Sequence, residues 1–337
     1  MSRKTYKKII TSKELLAKIN PKNIKFMDQY IREKNIRCSD TTIKNYISDL
    51  QIFFTWVLLY CDNKFFVDIK KIEFSEFFGY CVNELKWSSN RFSRMRSVLS
   101  TFSQFIEKFY DEEYPGFRNC ILKAIEGMPK EPSREKTILT EDQVDFLLKK
   151  LESFPQQSLF FALAIASGSR FAELTRFSVD NIDINHTAFE GIFLETVENI
   201  KTKGRGKTGK LIKKYILKDI FIPHYERWLP IRKEIMEKNN IEHNSIFISE
   251  KTGLPIKQME TRRWIKSFGE ILNCDFYIHC VRHFFTTNRI KAGLPDSLVQ
   301  FICGWTSSAM VAVYNDINEK DREWKELDGL KSSLQKT

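Results

Sequence analysis

The sequence predicts a mainly helical protein of two domains with one small β-sheet. Apolar residues recur at helical spacing over most of the chain, as Ile43, Leu50 and Val57 do at i, i+7 and i+14. Short apolar segments separated by turn residues are confined to 179–217, which is typical of short strands. At 337 residues the chain exceeds the length of one typical domain.

The expected domain boundaries follow from changes in polarity. We expect a short polar leader without clear structure at 1–20 and a helical domain at 21–128. A polar segment with Pro129 and Pro132 and no periodicity reads as an interdomain linker at 129–137. The second domain then occupies 138–337.

The first domain is predicted to be helical and basic. Ser39 and its neighbours are good N-caps for a long helix, and further helices are expected at 74–86 and 89–110. Residues 1–130 carry 23 Lys and Arg against 15 Asp and Glu, so that +8 of the total charge of +11 lies here. Arg91, Arg94 and Arg96 are candidate contacts to a polyanion, and a solvated helix face is the alternative.

In the second domain, Thr140 and Gln143 form a capping box that opens a helix at 144–151. A strongly apolar helix at 158–177 is expected to end in, or be broken by, the segment 167–170. Strands are indicated around Ile182, Ile184 and 189–194, and again at 213–217. The pattern is helical from 222 to the end.

Composition excludes several classes of protein. The seven cysteines are odd in number and form no CxxC pair, which is typical of a reducing compartment rather than of a disulfide scaffold. The basic N-terminus lacks a following apolar segment, and no apolar run approaches a membrane span. We therefore expect a cytoplasmic protein without membrane contact.

A Gly-rich turn at 204–209 lies in the most cationic part of the chain. Seven basic residues and no acid occur within fourteen positions, which is a strong indication of a polyanionic partner. They are Lys201, Lys203, Arg205, Lys207, Lys210, Lys213 and Lys214. The stretch lacks the spacing of a nucleotide-binding P-loop, so nucleotide hydrolysis is not expected.

Two motifs gather groups that could act on a phosphodiester. The first is Ser-Gly-Ser-Arg170-Phe-Ala-Glu173-Leu, in which Glu173 could pair with the arginine three residues earlier. The second is His279-Cys-Val-Arg282-His283, whose charged groups share one helical face at i, i+3 and i+4. Two alternatives stay open for the histidines: an ordinary helix, or a metal site completed by a nearby cysteine.

Together with Gly-Trp305 and Tyr314, these motifs resemble those of the tyrosine recombinase (phage integrase) family. His279-Cys-Val-Arg282-His283 is similar to the family's H-x-x-R-H box, and the segment around Arg170 to its first arginine box. Gly304-Trp305, followed nine residues later by Tyr314, is similar to its last box. The resemblance covers roughly 22–320 and is most specific in the C-terminal half.

The resemblance implies a role for each residue. Arg170 and Arg282 would bind the non-bridging oxygens of a scissile DNA phosphate, and Tyr314 would be the nucleophile. His279 would accept the proton of the tyrosine or hydrogen-bond near it. Trp305 stands where most members have histidine.

Further residues complete the implied site. His283 would support the site, and Glu173 would have a structural role and not take part in the chemistry. The general acid would be a hairpin lysine, with Lys203 favoured and Lys201 as the alternative. DNA contacts would include Arg205 and Lys207 as well as Arg91, Arg94 and Arg96.

The resemblance further implies a C-shaped clamp, in which a helical core-binding domain and a catalytic domain close around double-stranded DNA. Four protomers would assemble on two recombination sites, with accessory or host DNA-bending factors as further partners. No metal or other cofactor is expected. The implied function is site-specific recombination, and the preferred biological role is integration of a phage or mobile element. The alternatives are resolution of DNA dimers, a type IB topoisomerase, and a catalytically inactive DNA-binding regulator.

Overall fold

The computed structural model describes residues 10–129, 136–202, 204 and 206–315. The chain forms two compact units, with the boundary in sequence after residue 134, and the short segment 204–209 is grouped with the first unit. The favoured general-acid residue Lys203, the candidate DNA contact Arg205 and most of the expected linker lie outside the described residues. So does the tail from residue 316 onward.

The described part of the first unit is helical and has an aromatic core. Its helices are α1 (Lys13–Leu16), α2 (Pro21–Asn35), α3 (Asp40–Tyr60), α4 (Lys71–Asn83), α5 (Ser89–Phe109) and α6 (Ile121–Ala124), with a 3-10 turn at Phe66–Asp68. Phe53 packs at 4.9–5.9 Å between ring centroids against Phe54, Phe66, Phe74 and Phe77. Three of these pairs are edge-to-face and the Phe53–Phe74 pair is stacked, and such aromatic pairs add to the stabilisation from burial.

Two details of the first unit bear on the sequence predictions. Ser39 is the N-cap of α3, as expected, and its hydroxyl accepts a hydrogen bond from the backbone N–H of Thr42 at 3.3 Å. The prediction of a leader without structure was wrong for its described part. Ser12 caps the short helix α1, because its hydroxyl accepts from the N–H of Leu15 at 3.2 Å.

The second unit surrounds the central helix α8, which is buried almost throughout. Its helices are α7 (Glu141–Lys150), α8 (Pro155–Ser167), α9 (Phe171–Leu174), α10 (Lys218–Lys238), α11 (Gln258–Ile271), α12 (Ile278–Lys291), α13 (Asp296–Cys303) and α14 (Ala309–Tyr314), with a 3-10 turn at Val179–Asn181. Both α10 and α12 pack against α8. Thr140 and Gln143 form the predicted capping box at the start of α7.

Five short strands of the second unit form two antiparallel sheets. They are β1 (Thr187–Ala188), β2 (Phe193–Glu195), β3 (Ile200–Thr202), β4 (Lys210–Ile212) and β5 (Tyr215–Leu217). One sheet has the order β1-β2-β5, and the hairpin β3-β4 forms the other. The mainly helical fold is therefore confirmed, but the sheet is divided in two.

The strand predictions around Ile182 and Ile184 were wrong. The chain there forms a 3-10 turn and a loop, because the side chains of Asn181 and Asp183 accept hydrogen bonds from backbone N–H groups of Ser178 and Asn185. Such local acceptors compete with a strand ladder. The strand predicted at 213–217 begins only at Tyr215.

The apolar helix predicted at 158–177 ends at Ser167. Gly168 follows it with a left-handed φ of +55°, and Arg170 then caps the separate short helix α9. A glycine takes this conformation without steric cost, which is why the helix can end here.

All seven cysteines are free thiols. Among the described residues, no helix is both long and apolar enough to cross a membrane.

We predict that Gly168→Ala will lower the free energy of unfolding by about 2–4 kcal/mol, since it adds both backbone strain and a steric overlap. A Cβ placed on Gly168 would lie 2.6 Å from Cδ1 of Phe285. Denaturant unfolding followed by circular dichroism measures the change.

Gly79→Ala is the matched control. Nothing lies within 4 Å of its added Cβ, and its site is inside α4. It should stabilise the protein by about 0.5–1 kcal/mol. Equal stability of Gly168→Ala and the unmodified protein would contradict the expected overlap.

Candidate active site

Arg282 lies at the centre of the candidate site and is fully buried. Its Nη1 donates to the carbonyl of Gly168 at 2.7 Å, and its Nη2 donates to the carbonyl of Cys303 at 3.2 Å. These carbonyls lie at the C-terminal ends of α8 and α13, where backbone acceptors lack helical partners and carry partial negative charge. The guanidinium therefore joins two helix ends, and no carboxylate of the described residues pairs with it.

Both helix ends are formed by a left-handed glycine. Gly168 follows α8 at φ +55°, and Gly304 follows α13 at φ +65°. An added Cβ on Gly304 would overlap the side chain of Ile212 in β4. The two glycines thus allow the carbonyls that hold Arg282 to be brought together in a closely packed region.

Tyr314 is the last residue of α14 and packs among the aromatic groups of the site. Its ring stacks on Trp305 with a centroid distance of 5.1 Å and lies 4.6 Å from the ring of His283. The guanidinium carbon of Arg282 lies 4.7 Å from the Trp305 ring centroid and 5.4 Å from that of Tyr314. A cation at this distance from an aromatic face is attracted by its quadrupole.

Arg170 is joined to the buried Glu173, as the sequence spacing allowed. Its Nη1 donates to Oε1 of Glu173 at 2.9 Å, and its backbone N–H donates to Oε2 at 3.1 Å. The Arg170 side chain keeps 25% of its surface exposed, whereas that of Glu173 keeps 1%. The guanidinium therefore borders on solvent while its partner is inside the protein.

Lys214 is the second partner of Glu173, a role that its sequence context did not predict. Its Nζ lies 2.9 Å from Oε2 of Glu173, and its side chain has no exposed surface. Lys214 had been counted among the cations available to a polyanion. The structure instead places its ammonium group in the interior, so it adds no exposed charge.

Burial acts in opposite directions on the pKa values of Glu173 and Lys214. Burial alone would raise the pKa of Glu173, but the charge and hydrogen bond of Lys214, together with Arg170, hold it at about 2. Burial lowers the pKa of Lys214, and Glu173 opposes this change. A carboxyl group with so low a pKa is ionised at neutral pH, and it lies in salt-bridge contact with the ammonium group of Lys214 at 2.9 Å.

His279 differs from its helical neighbours in burial. It is exposed, whereas Arg282 and His283 on the same helix are buried. Packing of the protein around the ring nevertheless lowers the pKa of His279, and the charges of Arg282 and Arg170 lower it further. A lowered pKa favours the neutral imidazole, which can accept a proton.

Two buried donors of the site have no hydrogen-bond partner among the described residues. They are Nε of Arg282 and Nε1 of Trp305. A buried donor without a partner costs free energy, and native proteins avoid it except where a ligand, water or functional strain is involved. The charge of Arg170 also acts on Arg282, so positive charge is concentrated near these two donors.

The hairpin lysines are only partly described. Lys201 is exposed in β3, between the buried residues Ile200 and Thr202. Lys207 is exposed in the turn. Lys213 is half-buried and donates to the carbonyl oxygens of Thr196, at 2.9 Å, and Val197.

The three arginines proposed as DNA contacts in α5 all have partners within the first unit. Arg94 makes two hydrogen bonds to the buried carboxylate of Asp49, at 3.0 and 2.8 Å. Arg91 pairs with the same carboxylate at 2.5 Å, and Arg96 donates to carbonyl oxygens of Ile125 and Leu122 at 2.6 and 2.9 Å. These contacts stabilise the helical unit, and a role in DNA binding stays a prediction.

The described residues contain no group of three or more His, Cys, Asp and Glu side chains that could hold a metal ion. The alternative of a histidine and cysteine site near His279 thus has no cluster to support it within the described part of the chain.

Comparison with known proteins identifies the family. The model of the phage integrase family matches residues 137–321. The chain is 25% identical over 276 residues to the SPbeta prophage-derived recombinase-like protein YomM of Bacillus subtilis (strain 168), covering 77% of this chain and 78% of that protein. It is 23% identical over 297 residues to a tyrosine recombinase of Thermosipho africanus (strain TCF52B), covering 85% and 92%.

The fold resembles that of a lambda integrase (75–356) dimer in a crystal structure with a COC' core site. The TM-score is 0.63 at 19% sequence identity, over 89% of this chain and 95% of that one. The family match spans more than half of the chain and includes Arg170, Arg282 and Tyr314. This protein therefore belongs to the phage integrase family, that of the tyrosine recombinases.

Proposed function

We propose that this protein is a site-specific DNA recombinase that cuts and rejoins DNA through a covalent 3′-phosphotyrosine. The observation that carries the proposal is the pair of unpaired buried donors on Arg282 and Trp305, next to the ring of Tyr314. A phosphodiester supplies acceptor oxygens and negative charge to such donors. Family membership makes DNA the expected source of that phosphodiester.

The cleavage step assigns a role to each group. Arg170 and Arg282 bind the non-bridging oxygens and stabilise the charge that develops on them in the transition state. Tyr314 attacks phosphorus, so that a bond from its phenolic oxygen forms while the bond to the 5′ oxygen breaks. His279, whose lowered pKa favours the neutral ring, accepts the phenolic proton or hydrogen-bonds near it.

The leaving group and the supporting residues complete the proposed site. A hairpin lysine protonates the departing 5′ oxygen, with Lys203 favoured over Lys201. Trp305 donates its indole N–H to the phosphate, and His283 packs against the tyrosine ring. The phosphodiester energy is kept in the protein–DNA bond, so rejoining needs neither a nucleotide nor a metal ion.

We further propose how the reaction is organised on DNA. The two units would close on the duplex as a C-shaped clamp, and four protomers would act on two sites. Similarity to the prophage-derived recombinase-like protein of Bacillus subtilis favours integration and excision of a phage or mobile element. Resolution of DNA dimers is the second biological role.

We predict that Tyr314→Phe will abolish the covalent adduct and keep DNA binding, because phenylalanine preserves the stacked ring but lacks the nucleophilic oxygen. The protein would be incubated with a nicked, partly randomised DNA library, and the adducts isolated under denaturing conditions and sequenced. Tyr225→Phe, a buried tyrosine packed on Phe221 in α10, is the control and should form adducts normally.

The outcomes of this experiment separate the candidate functions. Adducts that depend on Tyr314 and enrich an inverted repeat support the recombinase. Adducts without sequence preference indicate a type IB topoisomerase. DNA binding without any adduct indicates an inactive regulator, and adducts formed by Tyr314→Phe would refute Tyr314 as the nucleophile.

We predict that Lys203→Ala will cleave ordinary DNA slowly but will be rescued by a 5′-bridging phosphorothiolate, since the thiolate leaves without protonation. Lys201→Ala on the same two substrates is the matched comparison. Cleavage rates measured in single turnover report the difference. Rescue of Lys201→Ala alone would transfer the general-acid role to Lys201.

A further inference from the structure

Lys214 is fixed in place by its main chain as well as by its side chain. It lies between β4 and β5, where its backbone N–H donates to Oγ1 of Thr196 at 3.0 Å. Its carbonyl accepts from the N–H of Thr196 at 2.9 Å, and Thr196 is itself buried. The main chain of Lys214 is therefore anchored next to the sheet independently of Glu173, and its side chain extends from this anchored backbone to the carboxylate.

A series of ionic contacts connects Lys214 through Glu173 to Arg170, which borders on solvent. Nζ of Lys214 contacts Oε2 of Glu173 at 2.9 Å, and Oε1 of the same carboxylate accepts from Nη1 of Arg170 at 2.9 Å. The backbone N–H of Arg170 also donates to Oε2 at 3.1 Å. The carboxylate is thus held on both oxygens, and its orientation determines where the guanidinium lies.

The charges of Arg170, Glu173 and Lys214 explain why Lys214 is useful as a third group. Arg170 and Glu173 alone would form a neutral pair, and a guanidinium cancelled by its own partner stabilises a phosphate poorly. Lys214 supplies a second positive charge to the same carboxylate, so that the three groups together carry +1. Arg282, which among the described residues is hydrogen-bonded to backbone carbonyls rather than to a carboxylate, adds to this charge.

We propose that Lys214 is a positioning residue that acts through Glu173 to hold Arg170 against the scissile phosphate and to leave Arg170 its net charge. This inference rests on the proposed function for the identity of the phosphate. The ammonium group itself is enclosed by protein and makes its contact with Glu173, so it is placed to act on Arg170 rather than on the DNA.

The test compares Lys214→Met with the unmodified protein on two DNA duplexes. Both duplexes carry the target sequence that is enriched in the adduct experiment described above. One duplex has the native scissile phosphate, and the other has a methylphosphonate there, as both diastereomers. Replacing one charged oxygen by a neutral methyl group reduces the charge that Arg170 must stabilise. A defect caused by a misplaced Arg170 should therefore shrink on the methylphosphonate, whereas general damage to the fold should affect both substrates alike.

We expect Lys214→Met to cleave the native phosphate about 100-fold more slowly in saturating DNA, with a deficit about tenfold smaller on the methylphosphonate. Arg170→Ala should show the same pattern. Arg232→Met is the matched control, since Arg232 is a nearly buried cation that donates to the carbonyls of Ser245 and His243, outside this chain of contacts. Its deficit should be equal on the two substrates.

Equal deficits of Lys214→Met on the two substrates, or a nearly normal rate on the native phosphate, would overturn the proposal. Because removal of one member of a buried ion pair can unfold a protein, Lys214→Met with Glu173→Gln provides a second variant without the unpaired charge. It should regain thermal stability but not the native-phosphate rate. Recovery of both would show that Lys214 serves stability alone.

A measurement without DNA separates this inference from the proposed function. If the unmodified protein forms no adduct, the proposed function fails, but NMR of 15N-arginine-labelled protein still reports on the guanidinium. The Nε–H signal of Arg170, assigned by its loss in Arg170→Lys, should shift or broaden in Lys214→Met and stay unchanged in Arg232→Met. An unchanged Arg170 signal in Lys214→Met would contradict its positioning by Lys214.

Discussion

The burial of the Arg282 guanidinium, which pairs with no carboxylate in the described part of the chain, is the constraint on which the site depends. A buried charge is costly unless it is paired or well hydrogen-bonded. Arg282 meets this condition through the carbonyls of Gly168 and Cys303, at the ends of two helices. Backbone dipoles stabilise the cation but do not cancel its charge, so the positive charge stays available to an anion.

The hydrogen bonding of Arg282 to two helix ends determines much of the surrounding structure. Both helices must end where their carbonyls meet Arg282, which requires the left-handed glycines Gly168 and Gly304. Phe285 and Ile212 fill the space that a larger residue at either glycine would need. The ends of α8 and α13 and the hairpin strand β4 are therefore fitted around one side chain. Arg170 is held by a different arrangement, in which the carboxylate of Glu173 is shared with Lys214.

The sequence predicted the helices better than the groups that support the site. The capping box of α7 and the N-cap of α3 are local signals, and both were confirmed. The motif residues around Arg282 and Tyr314 stand in compact segments, so the sequence could single them out, and the structure brings them together. Their catalytic roles stay a prediction. Lys214 was missed as a partner of Glu173, since the two are 41 positions apart and a lysine in a cationic stretch resembles a surface charge. Only the tertiary fold determines which lysine of that stretch is enclosed.

Because tertiary contacts determine which cations have partners, net charge alone is a poor predictor of a DNA-binding surface. Arg91 and Arg94 were candidate contacts to a polyanion, with a solvated helix face as the alternative, yet both contact Asp49, which lies more than 40 positions away in α3. Arg96 is bonded to backbone carbonyls near α6. A cation with an intramolecular partner releases less free energy on meeting a phosphate, because that contact must be weakened or shared. These three arginines therefore offer less free positive charge to an anion than their number suggests, whereas Lys207 lies exposed in its turn.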